Sequence, residues 1–285
     1  MSKKLKWAFL SPALILILLL IIFPIFYNLY LSFHTWFGNP KKPPIFVGLS
    51  NYVGAFKDPR FINSLYVTAY FTLLALALEV VIGFLMAVYI NREYKGKNLV
   101  KALLVFPFTA TPVAIALVWR IMYDPTLGVI NYFLSFFGIK NVLWLSNPKI
   151  VIPALVIVDV WEWTPLITLI SLAGLESISA SIIEAAKIDG ASRSQTLFHI
   201  ILPMMKPTLI AATMIRSWDC IKTFDIIYVM TQGGPGYASE NLNIYAFNNA
   251  FRYFNMGYAS SLMVILFAIV IGVNLILYQF RGSNT

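Results

Sequence analysis

Long apolar stretches separated by short polar intervals dominate this chain. A helix needs about 20 apolar residues to cross a hydrocarbon core of about 30 Å. Six stretches meet that length, at about residues 7–33, 63–90, 102–122, 150–172, 205–230 and 258–280. A helix satisfies its own backbone hydrogen bonds, as a membrane interior requires. The pattern therefore predicts an all-α, polytopic membrane protein with six transmembrane helices, and residues 1–285 are treated as one transmembrane domain.

Two of these stretches carry additional signals. Lys3, Lys4 and Lys6 precede the first one, but its apolar run exceeds the roughly 7–15 residues of a signal-peptide core. No A-x-A cleavage pattern follows it, so we expect an uncleaved first span. The third stretch contains Pro107 and Pro112, which predict a kink because each proline removes a backbone hydrogen bond.

The polar interval at 176–203 differs from the others because it retains a helical pattern. Isoleucines and alanines alternate with Glu184, Lys187 and Asp189 in a first amphipathic segment. Gly190 can then adopt the positive φ that ends a helix. A second segment begins at Ser192 and runs to Pro203, where the next span starts. The interval predicts a short helix-turn-helix on a membrane surface.

The distribution of basic residues predicts the orientation, because cytoplasmic loops of membrane proteins carry an excess of Lys and Arg. Eleven lie on the side of the termini: Lys3, Lys4, Lys6, Arg92, Lys95, Lys97, Lys101, Lys187, Arg193, Lys206 and Arg281. Seven lie on the other side: Lys41, Lys42, Lys57, Arg60, Lys140, Lys149 and Arg252. We expect both termini and the interval 176–203 to face the cytoplasm.

Composition excludes several classes of protein. The chain is 59% hydrophobic and 12% charged, too few charges to cover a soluble globule, so membrane lipid must surround it. The net charge of +9 sits in short clusters beside apolar spans, so we expect no nucleic-acid partner. The single Cys220 excludes an intramolecular disulfide, and His34 and His199 have no metal-ligand spacing. We expect no catalytic residues and no metal site.

Polar residues inside the spans are candidates for a substrate path, because ionisable groups at membrane depth are costly. The fourth and fifth spans contain them: Asp159, Trp161, Glu162, Trp163, Arg216, Asp219, Cys220 and Thr223. Carboxylates accept hydrogen bonds from hydroxyl groups, and indole faces pack on the apolar face of a sugar ring. The alternative is a structural network with Arg216–Asp219 or Lys222–Asp225 ion pairs. For Glu79 and Arg120 we expect a structural or interfacial role.

The pattern E-A-A-x3-G-x9-I-x-L-P runs from Glu184 through Gly190 to Pro203. It resembles the "EAA loop" of permease subunits of binding-protein-dependent ABC importers. The segments 46–52, 224–231 and 233–236 are similar to the carbohydrate branch, which includes maltose and glycerol-3-phosphate permeases. The resemblance covers essentially the whole chain and implies the type I permease fold, with a cytoplasmic coupling helix between the fourth and fifth spans.

The resemblance also implies how such a protein works and with whom. The coupling helix of the family sits in a groove of an ATPase subunit, and here it would use Glu184, Ala185, Ala186, Asp189 and Gly190. The implied partners are a second homologous permease, two ATPase subunits that hold ATP-Mg, and an extracytoplasmic solute-binding protein that docks on loops 34–61, 124–149 and 231–257. No G-x-x-x-x-G-K-[ST] pattern occurs in this chain, so it is not expected to hydrolyse ATP or to bind a cofactor itself.

The family's substrate contacts come from the spans on either side of the loop, which are the spans that carry the candidate path. This chain departs from the maltose permease by having charges there, which leaves open a neutral sugar, an acidic sugar or glycerol phosphate. The expected location is the cytoplasmic (inner) membrane of a prokaryote. Two alternatives stand: a secondary transporter or channel driven by an ion gradient, with the intramembrane carboxylates as ion sites, and a membrane scaffold without transport.

Overall fold

The computed structural model describes residues 3–92, 94–139 and 141–281. The described part is mostly helical with two short strands, as expected. Among the described residues, five helices are long and apolar enough to cross a membrane, and the number rises to six if one bent pair counts as a single span. The chain divides into two compact units, Met1–Ile62 with Leu242–Ala268 and Asn63–Asn241 with Ile269–Thr285. Residues 1–2, 93, 140 and 282–285 of the predicted single domain lie outside the described residues.

The first unit begins with an apolar helix and contains the described strands. Its elements are α1 (Lys3–Ile17), a π-helical turn (Leu18–Ile22), α2 (Phe23–Ser32), β1 (His34–Thr35), β2 (Ile45–Phe46), α3 (Ser50–Lys57), α13 (Leu242–Phe247) and a second π-helical turn (Asn248–Arg252). The strands pair antiparallel, with His34 opposite Phe46. Asn51 donates from Nδ2 to the carbonyls of Ser32 and His34, at 2.9 and 3.0 Å. The segment 46–52 therefore binds, through Asn51, the backbone at the end of α2.

The second unit contains most of the remaining helices. They are α5 (Lys97–Thr109), α6 (Pro112–Met122), α7 (Val129–Ser135), α8 (Val151–Glu176), α9 (Ala180–Ile188), α10 (Arg193–Gln195), a π-helical turn (Thr196–Ile201), α11 (Leu202–Ile221) and α12 (Asp225–Met230). The division between the units falls inside two long helices, α4 (Pro59–Ile90) and α14 (Met256–Arg281).

The third and fifth predicted spans are more interrupted than the apolar pattern suggests. The third is α5 and α6, bent by 94° at Ala110 and Thr111. Thr111 is extended, with φ −74° and ψ 136°, because a residue before proline is disfavoured in the helical region. A sharp break therefore replaces the predicted kink. The fifth is likewise broken after Ile221 and resumes at Asp225.

The predicted loop at 176–203 is correspondingly shorter. α8 extends to Glu176, four residues past the predicted end at 172. After α9, a helix starts at Arg193 and continues without interruption through the π-helical turn into α11. Pro203 lies inside this continuous helix, directly after the π-helical turn that ends at Ile201. The second amphipathic segment is therefore the beginning of the fifth span and not a separate surface helix.

Apolar packing joins α4, α8 and α11 at the end of the second unit that carries this loop. The buried cluster consists of Phe84, Ala87, Ile90, Leu172, Leu175 and Met205. Leu197 and Ile201, from the turn that precedes α11, pack against it. A Cβ at Gly174 would lie 2.8 Å from Met205 Cε, so glycine permits the close approach of α8 and α11. The segments on either side of α9 therefore pack against the ends of both helices, Ile178 before it and Leu197 and Ile201 after it.

Candidate functional site

A buried cluster of charges joins three helices of the second unit. Arg216 on α11 is 1% exposed and donates from Nε to Glu79 Oε2 at 2.9 Å and from Nη2 to Glu79 Oε1 at 3.1 Å. The same Nη2 donates to Asp159 Oδ2 on α8. Glu79 lies on α4 and is fully buried. Such charge-assisted, bidentate bonds satisfy an arginine that has no access to solvent.

The ring of Trp163 covers this cluster on one side. The guanidinium carbon of Arg216 lies 4.5 Å from the centroid of the Trp163 ring, a cation–π distance. Phe108 meets the same ring edge-on, with the centroids 5.3 Å apart. One face of the indole is therefore occupied by the protein itself.

A cavity of about 170 Å³ opens beside Arg216. It is lined by Pro112, Asp159, Trp163, Arg216, Asp219, Lys222, Thr223, Phe224, Asp225 and Ile226. Five of the eight predicted path residues contribute to it, namely Asp159, Trp163, Arg216, Asp219 and Thr223. The structure thus brings a large part of the predicted path together around one space.

Both helix interruptions of the second unit end at this cavity. Pro112 starts α6 after the 94° bend, and residues 222–224 separate α11 from α12. Non-helical backbone at membrane depth occurs where it is buried in protein or lines a cavity, because lipid cannot satisfy its polar groups. The carbonyl of Thr223 accepts a hydrogen bond from Asn241 Nδ2 at 2.5 Å. Pro112, directly after the first break, and residues 222–224 of the second break therefore contribute to the cavity wall.

The other three predicted path residues do not line the cavity. Trp161 is 42% exposed and packs edge-on against Trp119, beside an apolar groove of about 690 Å³. Glu162 is 2% exposed, and its Oε2 has no hydrogen-bond partner among the described residues. Cys220 lies behind the lining, with Sγ 3.9 Å from Asp159 Oδ2. Trp161 and Trp163 consequently occupy different faces of α8.

The ion pairs differ from both pairings in the structural alternative. Arg216 pairs with Glu79 and Asp159 and not with Asp219. Lys222 pairs with Asp219 at 3.2 Å, one helical turn away, instead of with Asp225. Glu79 was expected to be structural or interfacial, and it holds the arginine bidentately from 137 residues away in sequence. An acid inside an apolar span signals a buried partner, but spacing cannot identify a partner so distant along the chain.

Glu79, Asp159 and Cys220 also bring three potential metal-ligand atoms within 4.8 Å of one another. The two carboxylates are already bonded to the guanidinium of Arg216. The guanidinium occupies the position that a metal ion would need, so this cluster does not support a metal site.

The EAA segment forms α9, an exposed helix that follows α8. Glu184 and Ala185 are exposed, whereas Ala186 is only 5% exposed and faces this chain's own side chains. Of the two motif alanines, only Ala185 is therefore accessible to a partner. Ile188, at the end of α9, is 86% exposed, an unusual position for a large apolar side chain.

The turn after α9 has well-defined geometry. Asp189 caps the helix, and Gly190 has φ +78° with no atom within 4 Å of a Cβ built on it. The backbone N–H of Ala191 donates to the carbonyl of Ala186 at 2.9 Å, which closes the helix end. Ser192 and Gln195 then form a reciprocal capping box that starts the next helix. The positive φ, and not lack of space, explains why glycine occupies position 190.

A second cavity of about 380 Å³ lies near the far ends of α6 and α12, lined in part by Arg120, Asp124 and Thr231. Backbone N–H groups of Leu127 and Thr126 donate to Asp124 Oδ1 and lower the pKa of that carboxyl. Arg120 donates to the carbonyl of Val229 at 3.1 Å, which agrees with its expected structural role.

Comparison with known proteins identifies the family. The model of the family described as "binding-protein-dependent transport system inner membrane component" matches residues 79–282. A trehalose/maltose transport system permease protein of Thermococcus litoralis is 36% identical over 281 residues, which cover 96% of this chain and 92% of that protein. A sulfoquinovosyl glycerol transport system permease protein of Agrobacterium fabrum is 32% identical, covering 91% of this chain and 84% of that protein.

A solved structure gives the same fold. The crystal structure of a bacterial ABC transporter involved in the import of the acidic polysaccharide alginate contains a chain that is similar to this one with a TM-score of 0.85. The two are 23% identical, and the match covers 99% of this chain and 96% of that chain. The type I permease fold expected from the EAA motif is therefore confirmed. This chain belongs to the family of inner membrane components of binding-protein-dependent transport systems.

Proposed function

We propose that this chain is the permease subunit of an ATP-driven importer for a sugar or sugar-like solute. The observation that carries the proposal is connectivity. α8 and α11 supply four of the ten residues that line the cavity, and the exposed helix α9 lies in the segment that joins these two helices. A force applied to α9 would be transmitted through the apolar cluster at the ends of both helices. The relatives named for trehalose/maltose and sulfoquinovosyl glycerol support a carbohydrate-like solute.

The proposed assembly contains components that this chain lacks. Two ATPase subunits would hold ATP-Mg, and one of them would contact α9 from the cytoplasm through Glu184, Ala185, Asp189 and the turn at Gly190. Both termini would face the cytoplasm, and a solute-binding protein would deliver solute on the other side. A second, homologous permease would complete the solute site. A cavity of about 170 Å³ is smaller than the ~300–1,000 Å³ of typical complete ligand sites, which favours a shared site.

The groups around the cavity suit hydroxyl-bearing solutes. Carboxylates of Asp219 and Asp225 can accept hydrogen bonds from hydroxyl groups, and Thr223 can donate or accept. The proposed mechanism is alternating access, in which closure of the ATPases pushes α9 and tilts the helices around the cavity. The alternative of an ion-gradient-driven transporter draws on one observation, the unpartnered buried carboxylate of Glu162.

Charge reversal on α9 tests the proposal. We expect Glu184→Lys to leave the chain inserted and assembled but to separate ATP hydrolysis from solute uptake in proteoliposomes. The matched control is Glu176→Lys, because Glu176 is an exposed acid outside α9 whose single salt bridge, to Lys101, is worth at most about 1 kcal/mol. Normal ATP-driven uptake by Glu184→Lys would contradict the proposed coupling.

The turn at Gly190 gives an independent test of the same role. Asparagine tolerates positive φ, whereas a β-branched residue does not. We therefore expect Gly190→Asn to retain ATP-coupled uptake and Gly190→Val to lose most of it. Equal uptake by the two variants would show that the conformation of this turn is not needed for coupling.

A further inference from the structure

The cavity beside Arg216 has a charge balance that bears on the solute, and this inference rests on the proposed function. Its lining contains two basic groups, Arg216 and Lys222, and three acidic ones, Asp159, Asp219 and Asp225. Glu79 stands directly behind Arg216 and adds a fourth acid. If all six are ionised, the cluster has a formal net charge of −2. Two basic side chains therefore do not make this cavity an anion site.

The hydrogen bonds around Arg216 also argue against an anion site. Glu79 binds Nε and Nη2, and Asp159 binds Nη2 as well. Two carboxylates thus face one guanidinium, and an anionic solute would have to compete with both of them at close range. The hydrogens of Nη1 have no acceptor among the described residues. Arg216 can therefore donate hydrogen bonds to a solute oxygen although its charge is already compensated.

The remaining charged groups of the cavity also provide no uncompensated positive charge. Lys222 is paired with Asp219 at 3.2 Å, so its charge is also compensated. Asp225 begins α12 and is exposed, with no hydrogen-bond partner among the described residues. An uncharged polyol can use such a mixture fully, because each hydroxyl both donates to carboxylates and accepts from N–H groups.

We infer that Glu79 is a positioning residue that, through Arg216, sets the charge of the cavity, so that the site accepts an uncharged, hydroxyl-rich solute and rejects an anionic one. Glu79 does not line the cavity. It orients the guanidinium over Trp163 and toward Asp159, and it supplies the second negative charge that compensates it. This assignment separates two classes of solute that the named relatives leave open, the trehalose/maltose class and acidic saccharides.

Ligand-induced thermal stabilisation of the complete, purified importer tests this assignment without the binding protein's own selectivity. A ligand that binds the folded complex raises its melting temperature in a saturable way. The probes are trehalose, which is neutral, and glucuronate, which carries one carboxylate, at constant ionic strength. For the wild type we expect saturable stabilisation by trehalose and a higher half-saturating concentration for glucuronate.

Three variants and one control variant make the prediction specific to charge. Glu79→Gln should lower the half-saturating concentration for glucuronate relative to trehalose by at least about threefold, because one repelling charge is removed. Glu79→Asp keeps the charge and should retain the wild-type preference. Asp225→Asn removes a charge at the exposed edge of the cavity and should shift the preference in the same direction even if Glu79→Gln fails to assemble. Glu176→Gln, a remote exposed acid, is the matched control and should leave the ratio unchanged.

The outcomes distinguish this inference from the function on which it rests. Wild-type importer that binds glucuronate as well as trehalose, or binds neither, would overturn the inference, as would an unchanged ratio in Asp225→Asn. If charge discrimination is absent while uptake of the importer's own solute remains ATP-dependent and sensitive to Glu184→Lys, the inference fails alone. Absence of ATP-dependent uptake would instead refute the proposed function.

Discussion

Arg216 places a buried positive charge among the helices around it. A guanidinium that is 1% exposed among apolar helices is stable only when bonded acids compensate its charge. Glu79 and Asp159 provide that compensation from two other helices. Loss of one partner of a buried pair typically costs about 3–5 kcal/mol, because the remaining charge stays buried without compensation. The cluster therefore both holds the helices together and shapes the cavity.

Two acids one turn apart on α8 should respond differently to neutralisation. Asp159→Asn removes a charge-assisted bond to Arg216, and such bonds contribute about 1.5–3 kcal/mol. Glu162→Gln removes a carboxylate whose Oε2 has no partner among the described residues, so it should cost less. We expect the thermal stability of the purified complex to fall clearly for Asp159→Asn and to change little for Glu162→Gln. The reverse order would contradict the placement of the two side chains.

The two tryptophans of α8 provide a second comparison at this scale. Trp163 lines the cavity and covers Arg216, whereas Trp161 faces the apolar groove beside Trp119. We expect Trp163→Ala to raise the half-saturating solute concentration for uptake several-fold. Trp161→Ala should leave that concentration within about twofold of the wild type. Transport assays with both variants at equal expression measure these concentrations. A larger effect of Trp161→Ala would contradict the assignment of the cavity as the solute site.

The interrupted helices explain how polar groups reach the cavity. α5 and α6 meet at 94°, and α11 and α12 are separated by three residues. Pro112, directly after the first break, and residues 222–224 of the second break line the same cavity. At Gly174, α8 lies in close contact with Met205 and Thr208 of α11. Two of the helices that line the cavity, α8 and α11, therefore also flank the exposed α9 segment.

Glycine substitutions test that contact. Gly174→Ala would bring a Cβ to 2.8 Å from Met205 Cε and Thr208 Cγ2, and overpacking of this kind typically costs about 1–3 kcal/mol. Gly272→Ala is the matched control, because nothing lies within 4 Å of its Cβ position inside α14. We expect a lower melting temperature for Gly174→Ala and no loss for Gly272→Ala. An unchanged melting temperature for Gly174→Ala would mean that α8 and α11 are less tightly packed than described.

The sequence predicted the apolar elements well because hydrophobic runs of this length have few structural solutions. It also predicted the turn at Gly190 and the exposed helix before it. The 94° bend and the break at 222–224 could not be predicted, since local proline signals indicate a kink without its angle and residues 222–224 contain no proline or glycine. The partner of Arg216 was equally hidden, because Glu79 is 137 residues away and is brought close only by tertiary packing.

At the scale of the whole molecule, family membership and fold agree with an importer subunit that depends on other chains. Co-purification should therefore recover an ATPase and a second permease of similar size together with this chain. The ion-gradient alternative predicts instead that this chain transports solute alone. The two accounts differ in the energy source and in the number of components that transport requires.

Solute accumulation in proteoliposomes tests the central claim most directly. The vesicles would contain the co-purified complex, with the cognate binding protein and its solute outside and ATP-Mg inside. We expect accumulation that requires ATP, persists when ion gradients are dissipated, and is lost in Glu184→Lys while ATP hydrolysis continues. Accumulation driven by an ion gradient without ATP, or by this chain alone, would contradict the account.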